Sequence, residues 1–234
     1  RGSDYVAEAI PEVLTLKQNT FQHVESLVAE DTIMASNASH LTLDDIFSKV
    51  INRTRVVGTH YFNPPHIVPV VEVVKCAQTE DGVIQTTCDL LEKIKKVPVK
   101  INKAIPGLLV NRVLIALARE VVDLYEQGVA SAEDIDKAIK GSLGFRYACV
   151  GPLLTMDLGG IEGWMDACRT LLPHMQQSTK APDALLDLLT QGRDGIHSGR
   201  GFFDYESDFS RHELDHTIQK RDRDMLDLLK KHYQ

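Results

Sequence analysis

Gly58-Thr59-His60-Tyr61-Phe62-Asn63-Pro64-Pro65 leads into the apolar stretch Val70-Val71-Glu72-Val73-Val74. A histidine thus ends one strand-like run and a carboxylate sits inside the next, with a Pro-rich turn between them. An imidazole held by a carboxylate can take up and release a proton near neutral pH, because the acid fixes its tautomer and favours its charged form. The same spacing also fits a buried histidine satisfied by a structural acid. Three further polar residues stand where a strand or loop ends. Ser39 follows the run 32–36, Asn63 follows His60 in the turn, and Asn111 follows Pro106-Gly107, where the backbone can approach a ligand closely. Taken singly, Ser39 and Asn63 read as turn formers and Asn111 as a helix cap. With His60 and Glu72 they point to a site. Ligands of open α/β sheets bind outside the carboxyl ends of the strands. Ser39, His60 and Asn63 are therefore expected to share one crevice, which Asn111 reaches from a following domain.

Those positions need a frame. Residues 5–10, 32–36, 55–61, 70–75 and 97–101 read as strands, with helical stretches between them. Pro11 opens a helix with apolar positions Val13, Leu14, Phe21, Val24 and Leu27. Thr42 caps a short helix with an acidic first turn, and Thr79 caps one bearing Val83, Ile84, Thr87, Leu91 and Ile94. After Ile101 strand signals stop. Val110, Val113, Leu114, Leu117, Val121 and Leu124 mark one face of a long helix that Gly128 ends. Ser131 with Asp134 predicts a capping box, and Gly151-Pro152 and the stretch 182–189 predict further helices. Residues 213–233 form a charged amphipathic helix, with Leu214, Ile218, Met225 and Leu228 along the side expected to dock on its own domain. The expected fold class is α/β followed by all-α, divided into residues 1–103 and 104–234.

An apolar content of 43% in 234 residues suffices for a sizeable core. A net charge of −7 argues against a nucleic-acid partner, and Lys93, Lys95 and Lys96 read as a solvated helix face. The four cysteines are widely spaced without CxxC, so no metal site or disulfide framework is expected, and a reducing compartment suits them. No apolar run approaches the ~18 residues of a membrane span, and no signal-peptide pattern appears. A cytoplasmic protein without a membrane partner is expected.

Several segments stand in a familiar order. Val6-Ala7-Glu8-Ala9-Ile10-Pro11-Glu12, Ala35-Ser36-Asn37-Ala38-Ser39, the stretch around His60 and Asn63, Val71-Glu72-Val73 and Pro106-Gly107-Leu108-Leu109-Val110-Asn111-Arg112 resemble the 3-hydroxyacyl-CoA dehydrogenase family. The match runs over nearly the whole chain, closely through about Ile139 and more loosely beyond. The resemblance implies the carboxyl half of a Rossmann-type NAD-binding domain and a helical substrate and dimerisation domain, working as a homodimer. It also implies NAD as cofactor and, within fatty acid metabolism, the interconversion of a short-chain L-3-hydroxyacyl-CoA and its 3-keto form. In that family His60 matches the catalytic base and Glu72 the acid that orients it. Ser39 and Asn111 match groups that hold the substrate oxygen. Asn63 matches a residue near the nicotinamide ribose, where Ser39 also belongs, and Glu12 and Lys17 match further nucleotide contacts.

Departures from the family pattern are informative. No GxGxxG occurs, and the chain opens at what would be the fourth Rossmann strand, so it is expected to be a fragment. Its first strand then becomes an apolar edge, expected to be hidden by self-association. The segment from Leu143 through Asp157 is similar to the λ-crystallin and L-gulonate 3-dehydrogenase branch, whose substrates are free acids. Arg146 would then bind a substrate carboxylate, or else sit in a surface ion pair. His40 stands where acyl-CoA enzymes usually have a second serine. Besides the thioester, a free 3-hydroxy acid (gulonate- or carnitine-like) and a non-catalytic crystallin-like or oligomerisation fragment remain as readings.

Overall fold

Short runs of Val, Ile and Thr bounded by Gly, Pro and polar turns extend into five strands, as their stiff branched side chains favour. They are β1 (Tyr5–Glu8), β2 (Ile33–Ser36), β3 (Val56–Tyr61), β4 (Val70–Val74) and β5 (Val97–Ile101). The structure, a computed structural model, describes residues 2–205 and 211–233. The strands form one sheet in the order β1-β2-β3-β4-β5. β1, β2 and β3 run parallel, β4 turns back antiparallel to β3, and β5 is parallel to β4. Each strand is a residue or two shorter than its sequence run, except β5.

Helices cover both faces, as the near-continuous apolar strands demand. On one face α1 (Leu14–Glu25) and α2 (Leu43–Ile46) pack Phe21 and Ile46 against Met34, Val56 and Val74. On the other, α3 (Asp81–Lys93) packs Ile84, Cys88 and Leu91 against Ala35, Val57, Val71 and Val73. Alternate residues of β3 and β4 therefore serve different faces. Cys88 takes the core place that the sequence pattern assigned to Ile94, which is 55% exposed. Thr79 does not cap α3. Its hydroxyl donates to the Val56 carbonyl at 2.7 Å and accepts the Cys76 N–H at 3.0 Å, and Glu80 stands at the cap instead. α1 starts at Leu14 rather than Pro11, because residues 11–13 form a turn closed by the Val13 N–H on the Pro11 carbonyl.

The chain divides into two compact units, Arg1–Arg112 and Val113–His232. The first therefore runs past the expected boundary at residue 103 and includes Asn111, which stands in the same unit as His60. α4 (Val110–Glu126) is the long helix, followed past Gly128 by α5 (Ala132–Ile139). The Asp134 N–H donates to Ser131 Oγ at 3.1 Å, but the acid half of the capping box is turned to Lys137. A π-helical turn (Lys140–Gly144), α6 (Phe145–Tyr147), α7 (Pro152–Gly159), α8 (Ile161–Leu171), α9 (Asp183–Thr190) and α10 (Arg211–Tyr233) complete the second unit. The side chain of Leu214 lies outside the described residues. In α5 through α9 no residue is buried, and Phe145, Leu153 and Leu158 are 76%, 76% and 75% exposed.

Gly58 sits inside β3 on the α2 face. A Cβ there would collide with Leu43 Cδ1 and meet the Cβ of Val74, its partner across the ladder, at 3.0 Å. Gly58→Ala is expected to cost about 1–3 kcal/mol through overpacking. Urea denaturation checks this, and a midpoint equal to that of the unsubstituted chain would show that α2 yields without cost.

Candidate active site

Antiparallel pairing sets His60 of β3 directly opposite Glu72 of β4. Directly opposed residues project from the same face with their Cβ atoms close together, so the ladder itself brings the two side chains into contact. His60 Nδ1 and Glu72 Oε2 are 2.7 Å apart. Both are buried, Glu72 completely and His60 to 6% exposure, and the Phe62 ring packs against the imidazole with centroids 4.6 Å apart. A carboxylate only accepts, so Nδ1 carries the proton and Nε2 is left as an acceptor in the neutral ring.

The second oxygen of Glu72 is also used. Oε1 accepts the backbone N–H groups of Leu109 and Val110, each at 3.0 Å, at the start of α4. Burial would push the Glu72 carboxyl up, but the bonds from His60 and from the Val110 and Leu109 amides outweigh it. They hold the carboxyl below the usual carboxylate range. Asn111 lies in the first helical turn, just past Val110, so it does not act as the cap. Its side-chain amide makes no hydrogen bond among the described residues.

A second cluster is built around Glu12. Its Oε1 accepts the N–H groups of Ser39 at 3.0 Å, His40 at 3.1 Å and Leu41 at 3.4 Å, pinning the loop that follows β2. Its Oε2 lies 3.2 Å from Lys17 Nζ. Lys17 is 1% exposed, and its other acceptors are Glu8 Oε1 at 2.6 Å and the Ile10 carbonyl at 3.0 Å. Lys17 is thus turned inward, with two hydrogen bonds and the Glu12 ion pair around its ammonium, and stands behind Glu12. The Ser36 hydroxyl completes the network by donating to Glu8 Oε2 at 2.7 Å.

Ser39 Oγ lies 2.6 Å from His40 Nδ1. The Ser39 loop is tied to the end of β3 by the Tyr61 N–H, which donates to Asn37 Oδ1 at 2.9 Å. Asn63 is exposed in the turn beyond. That turn is braced by Lys96, whose ammonium donates to the carbonyls of Pro65 at 2.6 Å and Val68 at 2.9 Å. Lys96 is thus no solvated face residue. Ser39 and His40 line a shallow, solvent-open cleft with Pro106, Gly107 and Leu108. Arg146 stands in the other unit, exposed on α6, and forms no ion pair among the described residues.

Sequence reasoning missed Asn37, Lys96 and the two amides of α4. Asn37 had a signal, since it stands between β2 and Ser39. The amides had one only through Pro106-Gly107, and Lys96 had none.

The chain also compares closely with known proteins. Residues 1–104 match the 3-hydroxyacyl-CoA dehydrogenase NAD binding domain, and residues 107–205 match the 3-hydroxyacyl-CoA dehydrogenase C-terminal domain. The chain belongs to this family. It is 33% identical to a 5-formyl-3-hydroxy-2-methylpyridine 4-carboxylate 5-dehydrogenase of Mesorhizobium japonicum, over 87% of this chain and 66% of that protein. It is 34% identical to a 3-hydroxybutyryl-CoA dehydrogenase of Clostridioides difficile, over 88% of this chain and 72% of that protein. It thus spans about two thirds of the length of these curated relatives. A solved 5-formyl-3-hydroxy-2-methylpyridine 4-carboxylic acid 5-dehydrogenase, described as an NAD+ dependent dismutase, superposes with a TM-score of 0.91 at 31% identity. That match covers 97% of this chain and 72% of the solved one.

Burial raises the Glu12 carboxyl, but the His40 amide, Lys17 and the Ser39 amide together hold it below the ordinary range. A carboxylate lowered in the folded state stabilises the fold above its unfolded pKa of about 4.3 and stops doing so as pH falls through the folded value. Glu12→Gln is therefore expected to lower the thermal midpoint at neutral pH, with the gap closing below about pH 4. Melts across that range check this, and a gap independent of pH would detach loop stability from the Glu12 charge.

Proposed function

We propose that the protein is an NAD-dependent dehydrogenase interconverting a 3-hydroxy group and a ketone, with His60 as the group that takes and returns the proton. The carrying observation is the buried Nδ1–Oε2 contact of 2.7 Å, which leaves Nε2 unprotonated in the neutral ring. Oxidising an alcohol requires its hydroxyl proton to leave, and Nε2 accepts it. In the reverse direction Nε2 gives it back to the carbonyl oxygen. Ser39 and Asn111 position that oxygen and stabilise its developing charge. NAD, when bound, supplies the two-electron acceptor. The donors at the carboxyl ends of β2 and β3 suit its nicotinamide half: the Ser39 hydroxyl and the exposed Asn63 amide, on loops held by Glu12, Lys17 and Lys96. No GxGxxG turn for the phosphates occurs among the 234 residues.

Two substrate classes have support. A short-chain 3-hydroxyacyl-CoA, and with it a place in fatty acid metabolism, is supported by the 3-hydroxybutyryl-CoA dehydrogenase relative. A free acid is supported by the TM-score of 0.91 to an enzyme whose name specifies a pyridine carboxylic acid. The exposed guanidinium of Arg146 adds to this by offering bidentate recognition of a carboxylate. The free acid has the stronger support. Exposed Phe145, Leu153 and Leu158 in the helical unit support a homodimer. The four free cysteines suit a cytoplasmic setting.

Joined to a nucleotide-binding half that bears a GxGxxG turn, the chain is expected to consume NADH with free 3-keto acids and more slowly with acetoacetyl-CoA. His60→Gln is expected to lower kcat by ~10²–10⁴. Unchanged turnover would return the His60–Glu72 pair to a structural role, and consumption with neither substrate would overturn both substrate readings.

A further inference from the structure

We propose that the backbone N–H groups of Leu109 and Val110 tune the basicity of His60 through Glu72, and that the same two bonds hold the Asn111 turn at the site. The functional consequence rests on the catalytic reading of His60. The physical coupling does not.

The coupling follows from one carboxylate with two occupied oxygens. Oε2 faces His60 Nδ1 at 2.7 Å, and Oε1 takes both amides at 3.0 Å. Each amide draws negative charge away from a carboxylate that is wholly buried. A buried carboxylate with one bare oxygen would stabilise the imidazolium more strongly and hold its proton longer. Two amides on the far oxygen weaken that hold while leaving the ring orientation unchanged. No other charged side chain bonds to either residue among the described residues, and the Phe62 ring packs against the imidazole.

The amides need the carboxylate in turn. The first N–H groups of a helix have no partner within it, and the positive helix end favours an anion. α4 is 17 residues long and draws this partner from the sheet rather than from a capping side chain. The chain bends sharply to present both amides. Gly107 has φ +80° and Leu108 has φ +50°, a left-handed conformation that a leucine seldom adopts. Leu108 is nonetheless buried in the core with Phe21, Met34 and Val74. The bend is therefore fixed by packing, and Asn111 follows it directly. Glu72 thus acts as a positioning residue in two directions, toward the base and toward the turn that carries Asn111.

Val110→Pro tests the tuning. Proline is tolerated at the first position of a helix, so this change deletes one N–H while leaving α4 its start. The His60 side chain, followed by NMR across the pH range, is expected to hold its proton to higher pH than in the unsubstituted chain. The acid limb of the turnover profile should rise with it. Glu72→Gln supplies a second readout that survives if the proline variant fails to fold. The glutamine oxygen can still face the two amides, but it carries no net charge and accepts more weakly than a carboxylate, so hydrogen exchange at the Leu109 and Val110 amides is expected to quicken by about fivefold or more. A glutamate that only oriented His60 would leave that exchange unchanged. Unchanged exchange in Glu72→Gln, or an unmoved His60 titration in folded Val110→Pro, would overturn the proposal. If the titration moves while His60→Gln keeps full turnover, the catalytic reading falls and the coupling stands.

Discussion

A carboxylate removed from water must find partners for both oxygens, and Glu72 finds them on two different elements. One is a side chain directly across the β3–β4 ladder, and the other is a pair of amides where α4 begins. A strand, a hairpin and a helix start are thereby joined through three bonds to a single buried group. Leaving a charge in that position with an unfilled oxygen costs several kcal/mol, so the partners cannot drift independently. The position of the Asn111 turn and the orientation of the His60 ring are consequences of the same requirement.

That requirement is met because β4 reverses direction. In an all-parallel sheet the neighbour of β3 would arrive after a crossover, with slanted bonds. The antiparallel return instead gives a register in which His60 and Glu72 are exact partners. The turn between the strands must then be held without helix or ladder, and Lys96 does so from just beyond α3 through two carbonyls. Gly58, two residues before His60, lets α2 lie against the sheet on the face that carries the pair. The local sequence around His60 thus combines chemistry with clearance.

Much of this was legible beforehand. The five strands, the sequence of helices and the His60–Glu72 contact follow from short apolar runs bounded by turn residues, from helical spacing between them and from a turn of suitable length. The resemblance extends them to a family that the matched domains bear out. What escaped was carried by atoms common to every residue or by side chains far along the chain. Backbone amides have no letter in a sequence, so the second partner of Glu72 was invisible. Lys96 sits among other lysines, and only its three-dimensional place sets it apart from them. Thr79 was misjudged because a threonine before a helix usually caps it, whereas here a strand carbonyl competes successfully for its hydroxyl. Lys17, matched by resemblance to a nucleotide contact, lies buried against Glu8, the Ile10 carbonyl and Glu12, a placement that the sequence does not display.

The Asn37 side chain accepts the Tyr61 amide one step past the point where β2 and β3 stop pairing through their backbones. In effect a side chain prolongs the ladder into the two loops that bear Ser39 and Asn63. Loops at the mouth of an α/β sheet usually tolerate insertions, but these two are locked in phase with each other. Length changes within 37–39 or 61–63 would slip one polar group past the other by a residue's rise, about 3.3 Å. Diversification of this fold toward new substrates is therefore steered away from those loops, toward segments that carry no such rung.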